Sequence, residues 1–188
     1  MKSICAMFAL FIGLFGVNEA IAADASKPDA AAITSAMYAA IGVGNIDAAV
    51  SFFADDGSNT GPSGRKTVGK NDLRTLMGLW VSENAQIPPA RDVKTQGEHS
   101  IFYIDISTKW EKDLGVAPTQ QIHVVDIEGN KIKSLIAWFP PSELERLTAA
   151  CNAHPDFAMP SGASCGTIVT AFKKHTDNLI SQGIAEKN

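Results

Sequence analysis

Ile101–Lys109 reads I-F-Y-I-D-I-S-T-K and Gln121–Glu128 reads Q-I-H-V-V-D-I-E. Both segments have the period-two alternation of half-buried strands. Gly115–Pro118 lies between them and can turn the chain back, so the pair predicts a long hairpin. With Trp110 opposite Thr119, Phe102, Ile104 and Ile106 share one face with Val125, Ile127 and His123. His123 is then a lone imidazole among aliphatic and aromatic neighbours. Its ordinary pKa lies close to neutrality, which makes it a candidate acid/base. The plainer reading is a core histidine bonded to a backbone carbonyl. Asp105 and Asp126 face away from it in this register and do not make a His–Asp pair.

Outward from the hairpin, four strands are expected in succession: Ala90–Thr95, Ser100–Trp110, Thr119–Glu128 and Lys131–Phe139. Gly129-Asn130 is a strong tight-turn signal between the last two. Pro88-Pro89 and Pro140-Pro141 bound the set. Upstream the period changes to that of helices. Ile33, Met37 and Ile41 recur four apart until Gly42 and Gly44. Asn45 caps a second helix, whose Ile46, Ala49, Val50 and Phe53 are buried and which runs to Asp55-Asp56-Gly57. Ser58–Gly69 leaves room for one short strand, and Asn71 caps a third helix carrying Leu73, Leu76, Met77 and Trp80. Three helices followed by a strongly curved antiparallel sheet is an α+β cone, with the sheet wrapped round the helices. No G-x-G-x-x-G, Walker loop or G-x-S-x-G is present.

The ends of the chain add further expectations. Met1–Ala22 has a basic start, an apolar run over Ile4–Val17 and an Ala20-Ile21-Ala22 cleavage site, the organisation of a signal peptide. Export to a periplasm or the medium follows, with Ala23–Ala30 as a flexible lead-in. Loss of Lys2 and Glu19 with the leader keeps the net charge at −4, and no basic stripe remains for nucleic acid. The apolar run is shorter than the roughly 20 residues a membrane span needs. Cys151 and Cys165 remain and read as a disulfide rather than a redox C-x-x-C pair. Closing that loop stabilises the fold by about 3 kcal/mol. Ser142–Ala150 is expected to form a short helix. Thr167–Gln182 is expected as an amphipathic helix with Ile168, Ala171, Phe172, His175 and Leu179 on one side. The four histidines show no metal-ligand spacing.

Met37–Asp56 (M-Y-A-A-I-G-V-G-N-I-D-A-A-V-S-F-F-A-D-D), Gly69–Met77 and Val124–Phe139 with its I-E-G-N-K-I turn resemble the NTF2-like superfamily, in particular its SnoaL-like and ketosteroid-isomerase-like branch. The resemblance spans residues 31–147 and leaves 148–188 as a disulfide-stapled helical extension. It implies a curved sheet round helices with a deep pocket, in a superfamily of isomerases, polyketide cyclases, dehydratases, epoxide hydrolases and non-catalytic binding domains. Fold constrains function weakly in such a set. The isomerases' aspartate base falls on Gly61, before Pro62, and their helix-one tyrosine falls on Met37, one place from Tyr38. The acidic pocket group of the penultimate long strand falls on His123. The epoxide hydrolases' Asp-Arg-Asp set has no counterpart.

The resemblance and the residues together imply an exported domain that binds a small, largely apolar or polycyclic molecule. Tyr38, Asn59, Trp80, Phe102, Ile104, Val125 and Phe139 (or Trp138) are the expected pocket residues, with no cofactor and no metal. Two alternatives stand beside it. One is a cofactor-independent isomerase, cyclase or dehydratase with His123 as acid/base. The other is a homodimeric assembly domain joined through Ile101, Tyr103, Ile122 and Val124 on the second face of the hairpin.

Overall fold

The structure, a computed structural model, describes residues 29–96 and 99–185. The expected leader at 1–22 lies outside the described residues, as does the lead-in up to residue 28. In chain order the elements are α1 (Ala30–Gly42), α2 (Ile46–Ser51), β1 (Phe53–Thr60), β2 (Lys66–Val68), α3 (Lys70–Ser82), β3 (Arg91–Gln96), β4 (His99–Ile106), α4 (Lys109–Asp113), β5 (Thr119–Glu128), β6 (Lys131–Trp138), α5 (Pro141–Ala153) and α6 (Cys165–Ser181). The six strands form one curved, open sheet in the order β2-β1-β6-β5-β4-β3. This is the expected α+β arrangement. Among the described residues no helix is long and apolar enough to cross a membrane.

Gly129 and Asn130 both take positive φ, 52° and 64°. That backbone matches the twist of the strands it joins and sets β5 against β6. β4 and β5 pair antiparallel as expected, but Phe102 lies opposite His123 and Ile106 opposite Thr119. The register is therefore four residues tighter than one that pairs Trp110 with Thr119. The cause is local: the chain leaves the sheet after Ile106, and Lys109–Asp113 winds into α4. An offset of four is even, so every side chain keeps its expected face.

Two further differences lie at β1. The second helix stops at Ser51, and Phe53–Thr60 is a strand. Asp55 and Asp56 lie on that strand and face solvent, paired with Lys70 and Lys133. β1 also runs parallel to β6, with Asn59 opposite Leu135, so the sheet is mixed rather than wholly antiparallel. A parallel neighbour requires a long crossover. Here the chain from residue 61 to 130 supplies it.

α1, α2 and α3 cover the inner face of the sheet. Met37, Tyr38, Ile41, Leu73 and Met77 pack there on Phe53, Phe102, Ile104, Val125 and Leu135. The outer face is covered by the end of the chain, where Leu179, Ile180, Ile184 and Ala185 lie on Ile122, Val124 and Trp138. That contact buries Ile122 and Val124 of the hairpin's second face, with Ile101 and Tyr103 partly buried beside them. α6 buries Cys165, Val169, Phe172, Thr176 and Leu179, a stripe rotated from the expected one because the helix packs on both the sheet and α5. Cys151 and Cys165 are bonded, with Cα atoms 5.3 Å apart. The bridge fixes the start of α6 to α5, and a separate apolar cluster of Leu114, Val116, Phe139, Leu147 and Phe172 fills the space between extension and sheet.

Candidate functional site

Alternation along β5 sends Thr119, Gln121, His123 and Val125 to the inner face. His123 is fully buried there. Its Nδ1 lies 2.9 Å from the Tyr38 hydroxyl and its Nε2 lies 3.2 Å from Gln121 Oε1. One assignment uses every hydrogen: Tyr38 O–H donates to Nδ1, and Nε2–H donates to the Gln121 oxygen. The opposite tautomer leaves the buried phenol proton without an acceptor. Burial holds the imidazole neutral, with its pKa pushed down to about 3, and pushes the Tyr38 phenol well above its ordinary range. Phe102 packs against the imidazole at 5.9 Å between centroids.

The expected pocket residues divide into two groups. Tyr38, Phe102, Ile104 and Val125 are buried in the core between sheet and helices, and Asn59 is buried on β1, opposite Leu135 of β6. None of them lines the cavity that lies beyond. Trp80 and Phe139 do line it. Trp80 stacks parallel to Tyr38 at 5.7 Å and so forms the partition between the two regions.

The cavity has a volume of about 220 Å³ and lies beside the C-terminal end of α3, where Leu79, Trp80 and Glu83 line it. Ile106, Gln121 and Phe139 form its floor at the end of the sheet. Trp80 closes one side, Trp110 and Glu111 of α4 another, and Met159, Ile168 and Phe172 of the extension form the roof. The roof residues come from the disulfide loop and the helix it anchors, so the bridge holds one wall in place.

Glu111 is a buried carboxylate, 1% exposed. Sequence reasoning missed it because Ser100–Trp110 read as one strand. The available signal was T-K-W-E over Thr108–Glu111, the S/T-x-x-E pattern of a capping box. The structure forms that box: Thr108 N–H donates to Glu111 Oε2 at 2.6 Å, and the Thr108 hydroxyl donates to the same oxygen at 3.0 Å. The Thr119 hydroxyl donates to Oε1. Burial raises the pKa of this carboxyl above the usual range, and the nearby Glu143 adds to the rise. Gln121 was also missed as a site residue. It is the group through which the His123 network meets the cavity. Among the described residues no group of three His, Cys, Asp or Glu side chains is placed to hold a metal ion.

No protein-family model and no curated protein matches the sequence. Solved structures do resemble it in shape. A cystatin-fold protein from Novosphingobium aromaticivorans is 18% identical, with a TM-score of 0.48, over 59% of this chain and 98% of its own. An NTF2-like protein of unknown function from Cytophaga hutchinsonii is 15% identical, with a TM-score of 0.48, over 64% and 98%. A protein from Catenulispora acidiphila with a ketosteroid isomerase-like fold, solved with trimethylamine, is 20% identical, with a TM-score of 0.47, over 59% and 87%. What the chain has in common with them is the path of part of its backbone.

Proposed function

We propose that this chain is an exported binding domain for a small, largely apolar molecule, held in the cavity between the sheet and the disulfide-stapled extension. The observation that carries the reading is the space itself. The pocket is partly open to solvent, and its apolar walls meet water until an apolar ligand covers them. A gap of about 220 Å³ walled by Trp80, Trp110, Phe139 and Phe172 is what a molecule with an apolar body would fill. Gln121 and Glu111 supply the few polar groups that orient a ligand in such a site. Export is supported by the Cys151–Cys165 bridge, since disulfides persist in oxidising compartments.

Proton transfer is the second reading. The specific observation in its favour is the hydrogen-bonded chain Tyr38–His123–Gln121, which ends at the cavity wall. In that chain His123 meets the cavity only through an amide, which does not titrate. His123 is therefore better described as a positioning residue that fixes which end of the Gln121 amide faces the ligand.

Native mass spectrometry of the protein purified from its own compartment tests the binding reading. A retained small molecule is expected, and it should be lost in Ile168→Trp, which fills the cavity from α6. A bare protein in both preparations, with no ligand taken up from a panel of small aromatic molecules, would overturn it. Turnover of an enone or polyketide-like substrate that His123→Gln abolishes would favour the second reading instead.

A further inference from the structure

Gln121 stands on the cavity floor with only one end of its amide bonded. It is 6% exposed and lines the cavity. Its oxygen lies 3.2 Å from Nε2 of His123, and its N–H₂ group has no acceptor among the described residues. Among those residues the one sealed side-chain nitrogen or oxygen without a partner is His175 Nε2. The open end of Gln121 therefore faces the cavity that the residue lines. Buried amides ordinarily satisfy both ends, so the floor carries an unused donor.

Which end of that amide is presented is decided in the core. The two ends of an amide are told apart by what they bond to. The Tyr38 phenol is buried, and Nδ1 of His123 at 2.9 Å is its one hydrogen-bond partner among the described residues. The phenol hydrogen goes to Nδ1, so the imidazole hydrogen sits on Nε2. That hydrogen needs an acceptor, which holds the Gln121 oxygen toward His123 and turns the N–H₂ to the cavity. A chain of donors that starts at a core tyrosine thus ends as a donor to the ligand.

The acidic walls set the charge. Glu111 accepts from the Thr108 N–H, the Thr108 hydroxyl and the Thr119 hydroxyl, so both of its oxygens are occupied. Glu83 accepts the Trp110 N–H at 3.3 Å and lies in the field of Lys109. Among the described residues no Lys, Arg or His lines the cavity. An anion would sit beside two acidic groups with no lining cation to offset the repulsion. An ammonium ion brings only donors and leaves the Gln121 N–H₂ without its acceptor.

From this arrangement we infer that the ligand is a neutral molecule with an acceptor oxygen on an apolar body, and that Gln121 selects it. The inference rests on the small-molecule reading above and names the chemistry of the ligand's polar end. The oxygen accepts a hydrogen from Gln121 Nε2, while Trp80, Trp110, Phe139 and Phe172 cover the body. Ketones, esters, ethers and alcohols share that chemistry.

The test uses the purified full chain with its disulfide intact and four probes of similar size: 2-phenylethanol, propylbenzene, 2-phenylethylamine and 3-phenylpropanoate. Calorimetry gives the affinities, and ¹H–¹⁵N spectra follow the Gln121 side-chain N–H₂. In the unaltered protein 2-phenylethanol should move those hydrogens downfield, and propylbenzene should not. The amine and the carboxylate should both bind more weakly than the alcohol. Gln121→Met keeps the length of the side chain and removes the donor. It should weaken 2-phenylethanol about five-fold, the weight of one hydrogen bond, while propylbenzene holds its affinity. Tyr38→Phe releases the tautomer that orients the amide. It should cost the alcohol a smaller factor, again sparing propylbenzene, and it stands in if Gln121→Met does not fold. Equal losses for alcohol and propylbenzene, amide signals that ignore the alcohol, or tighter binding of either ion than of the alcohol would overturn the acceptor assignment while leaving a small-molecule site. Failure of all four probes to bind would remove both.

Discussion

Two neighbouring regions on the inner face of β5 show opposite solutions to the same problem. Around His123, polar and apolar groups are both fully satisfied: Tyr38 and Gln121 occupy its two nitrogens, and Phe102 packs beside it. Two and four residues earlier on the same strand, Gln121 lines the cavity and Thr119 is sealed against Glu111. The roof there comes from the extension and leaves a cavity. The first region has the attributes of a stability core, and the second those of a binding site. The difference is set by which element covers each stretch of a single strand.

The comparison breaks most clearly under truncation. Phe102→Ala removes a fully buried ring beside His123 and should cost about 3–5 kcal/mol, measured by urea unfolding. Affinity for a cavity probe should change little as long as the chain is folded. Phe172→Ala at the roof should show the reverse balance, a smaller loss of stability and a larger loss of affinity.

Next in size is the bridge. Replacing both Cys151 and Cys165 with Ser should cost about 3 kcal/mol by loop closure. It should also weaken probe binding, because Met159 and Phe172 lose their anchor. Unfolding and titration of oxidised and reduced protein read both effects at once. Unchanged affinity after reduction would mean that the roof is held by packing alone.

Acid sharpens the contrast further. The folded pKa of His123 lies at about 3, below the ordinary 6.5 of the unfolded chain. Between those values the unfolded chain binds a proton that the folded chain refuses. Stability is therefore present above pH 6.5 and falls with pH by about 1.4 kcal/mol per unit down to about pH 3. His123→Gln should flatten that part of the profile. Glu111 acts in the opposite sense: its raised folded pKa means that protonation favours the folded state, so its contribution weakens as pH rises through the carboxylate range.

The smallest of these effects is expected for Tyr38→Phe. The ring and its stack on Trp80 remain, while Nδ1 of His123 loses its donor. About 1–3 kcal/mol should be lost for the unpaired buried nitrogen. Loss of the hydroxyl also frees the imidazole to change tautomer, which ¹⁵N shifts of the ring would report.

Much of the interior was legible in the residues. The alternation of β5 and β6 and the Gly129-Asn130 turn located those strands, and the register slipped by an even number, so His123 kept its inward face. What was not legible follows from how the cavity is built. Glu111 reaches the site only because the chain leaves the sheet after Ile106, and strand-like composition through Lys109 masked the capping box that causes the exit. The roof residues Met159, Ile168 and Phe172 come from a segment beyond the residues that resemble a known superfamily. Their partner is set by tertiary packing and a disulfide rather than by local pattern. Of the expected pocket residues, Trp80 and Phe139 line the cavity, while Tyr38, Phe102 and Val125 lie one layer away, where helices fill the space.

The most direct measurement is NMR chemical-shift mapping during titration with 2-phenylethanol, a small aromatic molecule with an acceptor oxygen. The account predicts perturbations at the indole N–H groups of Trp80 and Trp110, at the Gln121 side-chain amide and at the backbone of Phe139, Ile168 and Phe172, with Phe102, Ile104 and Val125 nearly still. Shifts centred on Phe102 and Val125 with the extension unmoved would contradict it, and would return the site to the interior.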